Sequence, residues 1–230
     1  MKKKLLVLQS NYVPWKGYFD AINKADVFVI YDEMQYTKND WRNRNVIKTK
    51  QGLQWLTIPV KMHFGQKINE AEVSQQFWYV KHWKTLVQNY SRASYFKEIE
   101  ALLRPLYANL ISNNLSEINL AFIKRINEYL GITTKIVRSR ELVFSGDKNE
   151  RLIQICQQLS CNHYISGPAA KSYMDIQLFE SNNISVEFLD YSDYKEYRQM
   201  FGNFEHHVSI LDLLFNEGPN ALSYIENKIC

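Results

Sequence analysis

Short apolar runs and polar turns alternate over the first forty residues. Leu5–Leu8 is a continuous apolar run, which is typical of a strand that is buried on both faces of a sheet. A polar turn follows, and apolar residues then recur at helical spacing up to Ala25. A second apolar run, Val27–Tyr31, also ends in polar residues. The pattern predicts two parallel strands joined by a helix, and ligands of such sheets bind beyond the carboxyl ends of the strands.

The pattern changes twice along the rest of the chain. Asn45–Thr49 and Gln54–Lys61 predict a β-hairpin, and Glu70–Ser74 predicts another short strand. Residues 78–130 have the helical period of about three amphipathic helices, and we expect Ser116 to cap the last one.

We expect Gly131 to end that helix, after which the strand and helix pattern returns. The pattern predicts strands at 135–138, 163–166 and 186–189, and helices at 149–159, 176–181 and 208–215. The predicted fold is therefore α/β, with a mostly parallel Rossmann-like sheet and a small β-hairpin. We expect a single domain over residues 1–230, in which 78–130 is a helical insert or lid.

Composition narrows the class of protein. The formal net charge is only +4 over 230 residues, so nothing indicates nucleic acid as a partner. No apolar run approaches the ~20 residues that a membrane span needs, and Leu5–Leu8 is too short for a signal peptide. The cysteines (Cys156, Cys161 and Cys230) lack metal-ligand spacing, and Cys156 lies on the apolar stripe of a helix. We expect a cytoplasmic, reduced protein without a metal site.

Polar and aromatic side chains follow the first two predicted strands. This first cluster consists of Gln9, Asn11, Tyr12, Asp32, Gln35 and Tyr36. If the strands are adjacent and parallel, these side chains converge on one crevice that suits sugar hydroxyls or an amide. Asp32 is the candidate general base, and the alternative is that Asp32 caps its turn.

Two further clusters have the chemistry of phosphate binding. Arg42, Asn43 and Arg44 form the second cluster, and two arginines so close together can hold a diphosphate in bidentate fashion. Structural pairing of these arginines with Asp40 or Glu33 is the alternative. The third cluster contains Ser145, Lys148, Glu150, Arg151 and Ser166, with Ser145 either in an anion site before a helix or acting as its N-cap.

These residues resemble one known family, the WbqC-like family, which is associated with bacterial surface-polysaccharide (O-antigen, lipopolysaccharide) biosynthesis. The match covers nearly the whole chain, and its most specific block is Gln9-Ser-Asn-Tyr-Val-Pro-Trp-Lys-Gly-Tyr-Phe-Asp20. Ser10 departs from the proline that is usual there. The other matching blocks are Ala25–Asp26, Asp32–Tyr36, Trp41–Arg44, Trp55–Val60, Glu150–Cys156, Tyr164–Gly167 and Leu211–Asn216.

A weaker similarity concerns adenylate-forming nucleotidylyltransferases, whose His-x-Gly-His signature lies between the first strand and its helix. Trp15 and Tyr18 stand at the two histidine positions here, so the charge that those enzymes direct at phosphate is missing. The resemblance therefore implies the topology more than the reaction.

Together these features predict a transferase that modifies a nucleotide-activated sugar, with acyl transfer as the first reaction to test. Asp32 is then base or orienter, Tyr12 and Trp15 are stacking walls, and Gln9, Asn11 and Gln35 recognise polar groups. No cofactor is certain from the sequence; acyl-CoA or ATP is the candidate donor. A non-catalytic sugar- or nucleotide-binding protein, an ATP-dependent ligase and a homodimeric assembly stay open.

Overall fold

A computed structural model describes residues 2–108 and 112–226. The strands are β1 (Lys4–Leu8), β2 (Val27–Ile30), β3 (Arg44–Thr49), β4 (Gly52–Thr57), β5 (Val60–Lys61), β6 (Glu72–Val73), β7 (Lys135–Arg138), β8 (His163–Ser166) and β9 (Ser185–Phe188). The α-helices are α1 (Lys16–Asn23), α2 (Trp78–Tyr90), α3 (Phe96–Ala108), α4 (Leu115–Leu130), α5 (Lys148–Gln158), α6 (Ile176–Ser181), α7 (Ile210–Glu217) and α8 (Leu222–Ile225).

A five-stranded parallel sheet has the order β7-β2-β1-β8-β9. The chain first moves outward from β1 through β2 to β7, and then returns to the other side of β1 for β8 and β9. The predicted Rossmann-like α/β fold is confirmed. Its strand order reverses beside β1, the place where open parallel sheets bind ligands.

The reversal places helices on both faces of the sheet. Leu6 and Phe28 share one hydrophobic core with residues of α1 and α4. Leu5 and Val7 point to the opposite face, where they share a second core with residues of α5 and α6. Successive residues of β1 thus enter different cores, which explains why Leu5–Leu8 is apolar throughout.

The remaining elements extend the first core. β3 and β4 form the predicted antiparallel hairpin, with only Lys50 and Gln51 between their ends. β5 and β6 form a second small antiparallel pair. Helices α2, α3 and α7 contribute Leu86, Ile99 and Phe215 to the core that covers β1 and β2.

Several predicted bounds agree with the structure residue for residue, namely 135–138, 163–166 and 176–181. Gly131 ends α4 with φ = 71°, as expected of a left-handed C-terminal residue. The prediction that Ser116 caps α4 is wrong. Asn114 is the cap, because its side chain accepts a hydrogen bond from the Glu117 amide at 3.2 Å.

The described residues contain no helix that is long and apolar enough to cross a membrane.

Cys156 and Cys161 are buried free thiols, and burial raises the pKa of Cys156 to about 12. Cys230 lies outside the described residues.

A buried polar chain connects the turn after β1 to α2 and α3. The Tyr12 hydroxyl lies 2.9 Å from His82 Nδ1 and 2.7 Å from the Tyr107 hydroxyl. His82 Nε2 lies 3.1 Å from the carbonyl oxygen of Thr57. Because a carbonyl only accepts, Nε2 donates to it, and the neutral ring accepts the Tyr12 proton at Nδ1. Burial lowers the pKa of His82 to about 4, which keeps the ring neutral.

We predict that His82 makes the protein less stable in acid. In the unfolded chain this ring is protonated near its ordinary pKa of about 6.5, but in the folded chain only near about 4. The stabilisation is therefore complete above about pH 6.5 and is lost as the pH falls toward about 4. From about pH 7 to about pH 5 the free energy of unfolding is expected to fall by about 2 kcal/mol from this group. Urea unfolding of His82→Gln, in which an amide still donates to Thr57, is expected to lack this component. Equal pH dependence in both proteins contradicts the assignment.

Candidate functional site

A cavity of about 450 Å³ lies at the carboxyl ends of β1 and β2, beside the first turns of α5. Its position matches the reversal of strand order next to β1. The lining residues are Val7, Leu8, Gln9, Asn11, Tyr18, Tyr31, Met34, Arg42, Lys148, Arg151, Leu152, Tyr164 and Tyr173.

The charged residues of this lining are all cations: Arg42, Lys148 and Arg151. Arg42 has a carboxylate partner, since its Nη1 donates to Asp40 at 2.6 Å. Within the described part of the chain, Lys148 and Arg151 have no ion-pair partner. The Lys148 ammonium lies 5.2 Å from the centre of the Tyr173 ring. The cavity is therefore electropositive, and an anion that enters it meets two uncompensated positive charges.

A capped helix start fixes these two cations. Asp147 is the N-cap of α5, and its carboxylate accepts the amides of Asn149 and Glu150 at 2.8 and 2.9 Å. The Glu150 carboxylate in turn accepts the Asp147 amide at 2.8 Å, which completes a capping box. Lys148 is the first residue of α5, and Arg151 follows almost one turn later on the side of the helix that faces the cavity.

Ser145 lies outside the cavity lining. Its backbone N–H and carbonyl both pair with the Gln154 side chain, at 3.0 Å each, and its side chain is exposed. Ser145 is not the N-cap of α5, because Asp147 takes that position, and an anion site at Ser145 stays a prediction. Ser166, at the end of β8, is buried, and its carbonyl accepts the Leu189 amide at 2.9 Å.

The first cluster is only partly brought together. Gln9 and Asn11 line the cavity, and Asn11 Oδ1 is a buried acceptor without a hydrogen-bond partner. Tyr12 and Tyr36 instead belong to the hydrophobic core. Gln35 is exposed and forms an isolated bridge with Lys67. The turn after β1 therefore presents alternate residues to the cavity and to the core, which the sequence does not indicate.

Asp32 is buried away from the cavity, with 3% of its surface exposed. Its Oδ1 accepts the Ser10 amide at 2.8 Å, and its Oδ2 accepts the Ser116 hydroxyl. These bonds join the turn after β1 to the start of α4. The geometry is that of the turn-capping alternative, and it gives a general base no path to a ligand in the cavity.

Asn119 of α4 holds two cavity-forming segments in register. It is fully buried, and its Nδ2 donates to the Arg42 carbonyl at 2.8 Å and to the Ser10 hydroxyl at 3.2 Å. Ser10 lies between Gln9 and Asn11, so Asn119 fixes both of these residues relative to Arg42. No sequence pattern marked Asn119, because it looks like an ordinary polar residue of a helix.

The second cluster is also divided. Arg42 alone lines the cavity. Asn43 is buried and donates to the Ile58 carbonyl at 2.9 Å. The Arg44 guanidinium stacks on Trp55, with 4.1 Å between its central carbon and the ring centre. Arg42 and Arg44 have different surroundings, so they are not placed to hold one diphosphate together.

Trp15 is half-buried and packs against the first hydrophobic core instead of forming a wall of the cavity. Its ring stacks with His207 at 5.9 Å and meets the Tyr191 ring edge-on at 5.1 Å. A Cβ at Gly17 would lie 2.4 Å from the indole, so glycine is required there. The aromatic lining of the cavity comes from tyrosines instead, and Tyr31, Tyr164 and Tyr173 were missed by sequence reasoning.

A strained residue shapes the turn after β1. Val13 has φ = 36°, which is rare for a β-branched residue. Its carbonyl accepts hydrogen bonds from Asn45 Nδ2 at 3.0 Å and from Ser209 Oγ at 2.6 Å. These bonds hold the strained backbone between the cavity residues and α1.

The described residues include no cluster of three or more His, Cys, Asp or Glu side chains placed to hold a metal ion.

The sequence profile of the WbqC-like protein family matches residues 9–224. The chain belongs to this family. A relative from Mycobacterium tuberculosis, the uncharacterized protein Rv1507c, is 48% identical over 225 residues, which cover 97% of each chain. No solved structure matches the chain significantly. The matched range includes the turn after β1, Arg42 and the start of α5, so every charged residue of the cavity lining lies within it.

We predict that Asp32→Ala destabilises the fold. The change leaves the buried Ser10 amide and the Ser116 hydroxyl without their acceptor, and should lower the free energy of unfolding by about 2 to 4 kcal/mol. Asp32→Asn keeps an acceptor oxygen and should lose less. Urea unfolding measures both, with the exposed Asp193→Ala as control. An Asp32→Ala protein as stable as that control contradicts the structural role.

Proposed function

We propose that this WbqC-like protein binds a nucleotide-activated sugar in the cavity beside β1 and transfers a group, an acyl group in the first instance, to that sugar. The reaction would belong to bacterial surface-polysaccharide (O-antigen) biosynthesis, the process with which the family is associated. One observation carries the proposal: the cavity at the strand-order reversal combines three cations and several tyrosine rings with no lining carboxylate among the described residues.

The cations suit a diphosphate. Arg42 approaches from the segment after β2, whereas Lys148 and Arg151 approach from α5. The first-turn amides of Asn149 and Glu150 are already occupied by Asp147, so the side chains, rather than free helix amides, would meet the phosphates. Arginine and lysine together give bidentate and point-charge contacts to neighbouring phosphate groups.

The tyrosine rings supply surfaces for a base and a sugar. Tyr173 is 55% exposed and lies at the Lys148 side of the cavity, where it is free to stack on a planar ring. Burial raises the pKa of Tyr31 and holds the pKa of Tyr18 well above its usual value. Both hydroxyls are therefore protonated at neutral pH and act as hydrogen-bond donors or acceptors, not as bases.

The absence of a carboxylate from the described lining bears on the reaction. Acyl transfer to a neutral amine of a sugar needs no strong base, because the amine is itself the nucleophile. Asn11 Oδ1, the unpartnered acceptor, would then orient an N–H of that amine. Acyl-CoA is the donor to test first, and ATP is the alternative donor. The same absence also favours the second candidate, a protein that binds the nucleotide sugar without turnover.

We predict that Lys148→Met and Arg151→Gln each weaken the binding of a nucleotide sugar by about 10- to 100-fold, because each removes one charge-assisted contact. Calorimetric titration with UDP-, GDP- and dTDP-linked sugars measures the affinity. Lys97→Met, which removes the same charge from an exposed position of α3, is the matched control and should bind like the wild type.

The outcomes separate the two candidate functions. Binding that is weakened at Lys148 and Arg151, together with acyl-CoA-dependent modification of the sugar, supports the transferase. The same binding pattern without turnover for any acyl donor supports the binding protein. Wild-type affinity in both α5 variants would overturn the cavity assignment itself.

A further inference from the structure

Three polar side chains meet at the amino edge of the sheet, opposite the cavity. His163 begins β8 and Ser185 begins β9, and the two are direct partners in the parallel register. Glu187 lies two residues further along β9, on the same face as Ser185. His163 Nδ1 is 2.6 Å from Ser185 Oγ, and His163 Nε2 is 2.7 Å from Glu187 Oε2.

The proton positions in this group of three hydrogen-bonded side chains follow from the charge of Glu187. Burial alone would raise the pKa of its carboxyl, but the hydrogen bond with His163 and the charge of Lys4 outweigh burial and lower it. Lys4 Nζ lies 3.6 Å from Glu187 Oε2. An ionised carboxylate only accepts, so Nε2 of His163 donates to it. A neutral His163 then has Nδ1 free as an acceptor for the Ser185 hydroxyl proton.

A small molecule can reach the serine. Ser185 is partly exposed and lines a shallow hollow of about 330 Å³. Lys2, Asn162 and Asn183 line the same hollow with side chains that carry N–H groups, and Glu180 adds one carboxylate to it. The Asn162 carbonyl is a second acceptor for the Ser185 hydroxyl at 3.3 Å, a longer hydrogen bond than the 2.6 Å contact with His163.

We propose that Ser185, His163 and Glu187 form a nucleophile–base–orienter group that accepts an acyl group from a small activated ester at this hollow. Ser185 Oγ attacks the ester carbonyl carbon and its proton passes to His163 Nδ1. The bond from that carbon to the leaving oxygen breaks, and the leaving alkoxide takes the proton from His163. Water then hydrolyses the acyl-serine by the reverse proton path, so that one ester and one water give one acid and one alcohol.

This activity is separate from the proposed sugar site. The two sites lie at opposite edges of the same sheet, since the cavity is at the carboxyl ends of β1 and β2 and His163 is the first residue of β8. The competing explanation is purely structural: the three side chains and Lys4 tie β1, β8 and β9 together. That explanation predicts lower stability when they are changed, and no special reactivity of Ser185.

A fluorophosphonate probe distinguishes the two explanations. Serine attack forms a P–O bond and releases fluoride, and the adduct is stable to intact-mass analysis and peptide mapping. Labelling of the full chain is expected at Ser185, and its rate should fall by about a hundredfold in His163→Gln, which removes the general base. Glu187→Gln removes the orienting charge and leaves Ser185 in place, and it should also slow the labelling of Ser185. Ser181→Ala, at an exposed serine of α6, should label at the wild-type rate.

Thermal unfolding of each variant controls for folding. Hydrolysis of p-nitrophenyl acetate provides a second readout and is expected to be lost in Ser185→Ala. An adduct on another residue, no adduct at all, or labelling of Ser185 at an unchanged rate in a folded His163→Gln protein would overturn the proposal.

Discussion

The central place of β1 in the sheet is the constraint on which the rest of the structure depends. Its two neighbours, β2 and β8, are reached by connections that run in opposite directions and cover opposite faces. The carboxyl end of β1 is therefore left uncovered, and the turn that follows it must satisfy its own polar groups. Asp32 and Asn119 bond to Ser10 of that turn from one side, and α5 provides cations from the other. The cavity is a consequence of this topology.

Buried carboxylates that accept hydrogen bonds from tyrosine hydroxyls recur in the hydrophobic core. Asp212 accepts the hydroxyls of Tyr90 and Tyr197 at 2.8 and 2.9 Å, and Asp20 accepts the Tyr194 hydroxyl at 2.7 Å. Each pair lets a large ring enter the core while its polar tip stays bonded. This use explains part of the high tyrosine content of the chain, fifteen residues in all. The tyrosines that line the cavity are a different group: Tyr18 and Tyr164 are also buried in the two cores, and Tyr173 is exposed.

The sequence was most informative where one physical signal dominates. Continuous apolar runs predicted the buried parallel strands, because a strand covered on both faces has no polar side. It was least informative at the turn after β1. There Gln9 and Asn11 face the cavity while Tyr12 is enclosed by the core, and the difference depends on the strained Val13 backbone and on distant bonds to Asn45 and Ser209. Such long-range hydrogen bonds produce no periodic pattern in the sequence from which they could be predicted.

The charged part of the candidate site shows the same limit. Sequence proximity suggested that Arg42 and Arg44 act together, but Arg42 lies in a turn and Arg44 begins β3, and their side chains have different surroundings. Lys148 and Arg151 were noticed as part of a helix start, and the fold brings them opposite Arg42. Arg42 is more than a hundred residues away in the chain from Lys148 and Arg151, and the fold brings the three to one cavity. Only the strand order explains it.

The most direct test of this account is a crystal structure with a bound nucleoside diphosphate sugar. We expect the diphosphate at the carboxyl end of β1, between Arg42 and the first turns of α5, with the base or sugar against Tyr31 or Tyr173. A ligand bound elsewhere, with this cavity filled only by water, would contradict the claim that the strand-order reversal creates the functional site.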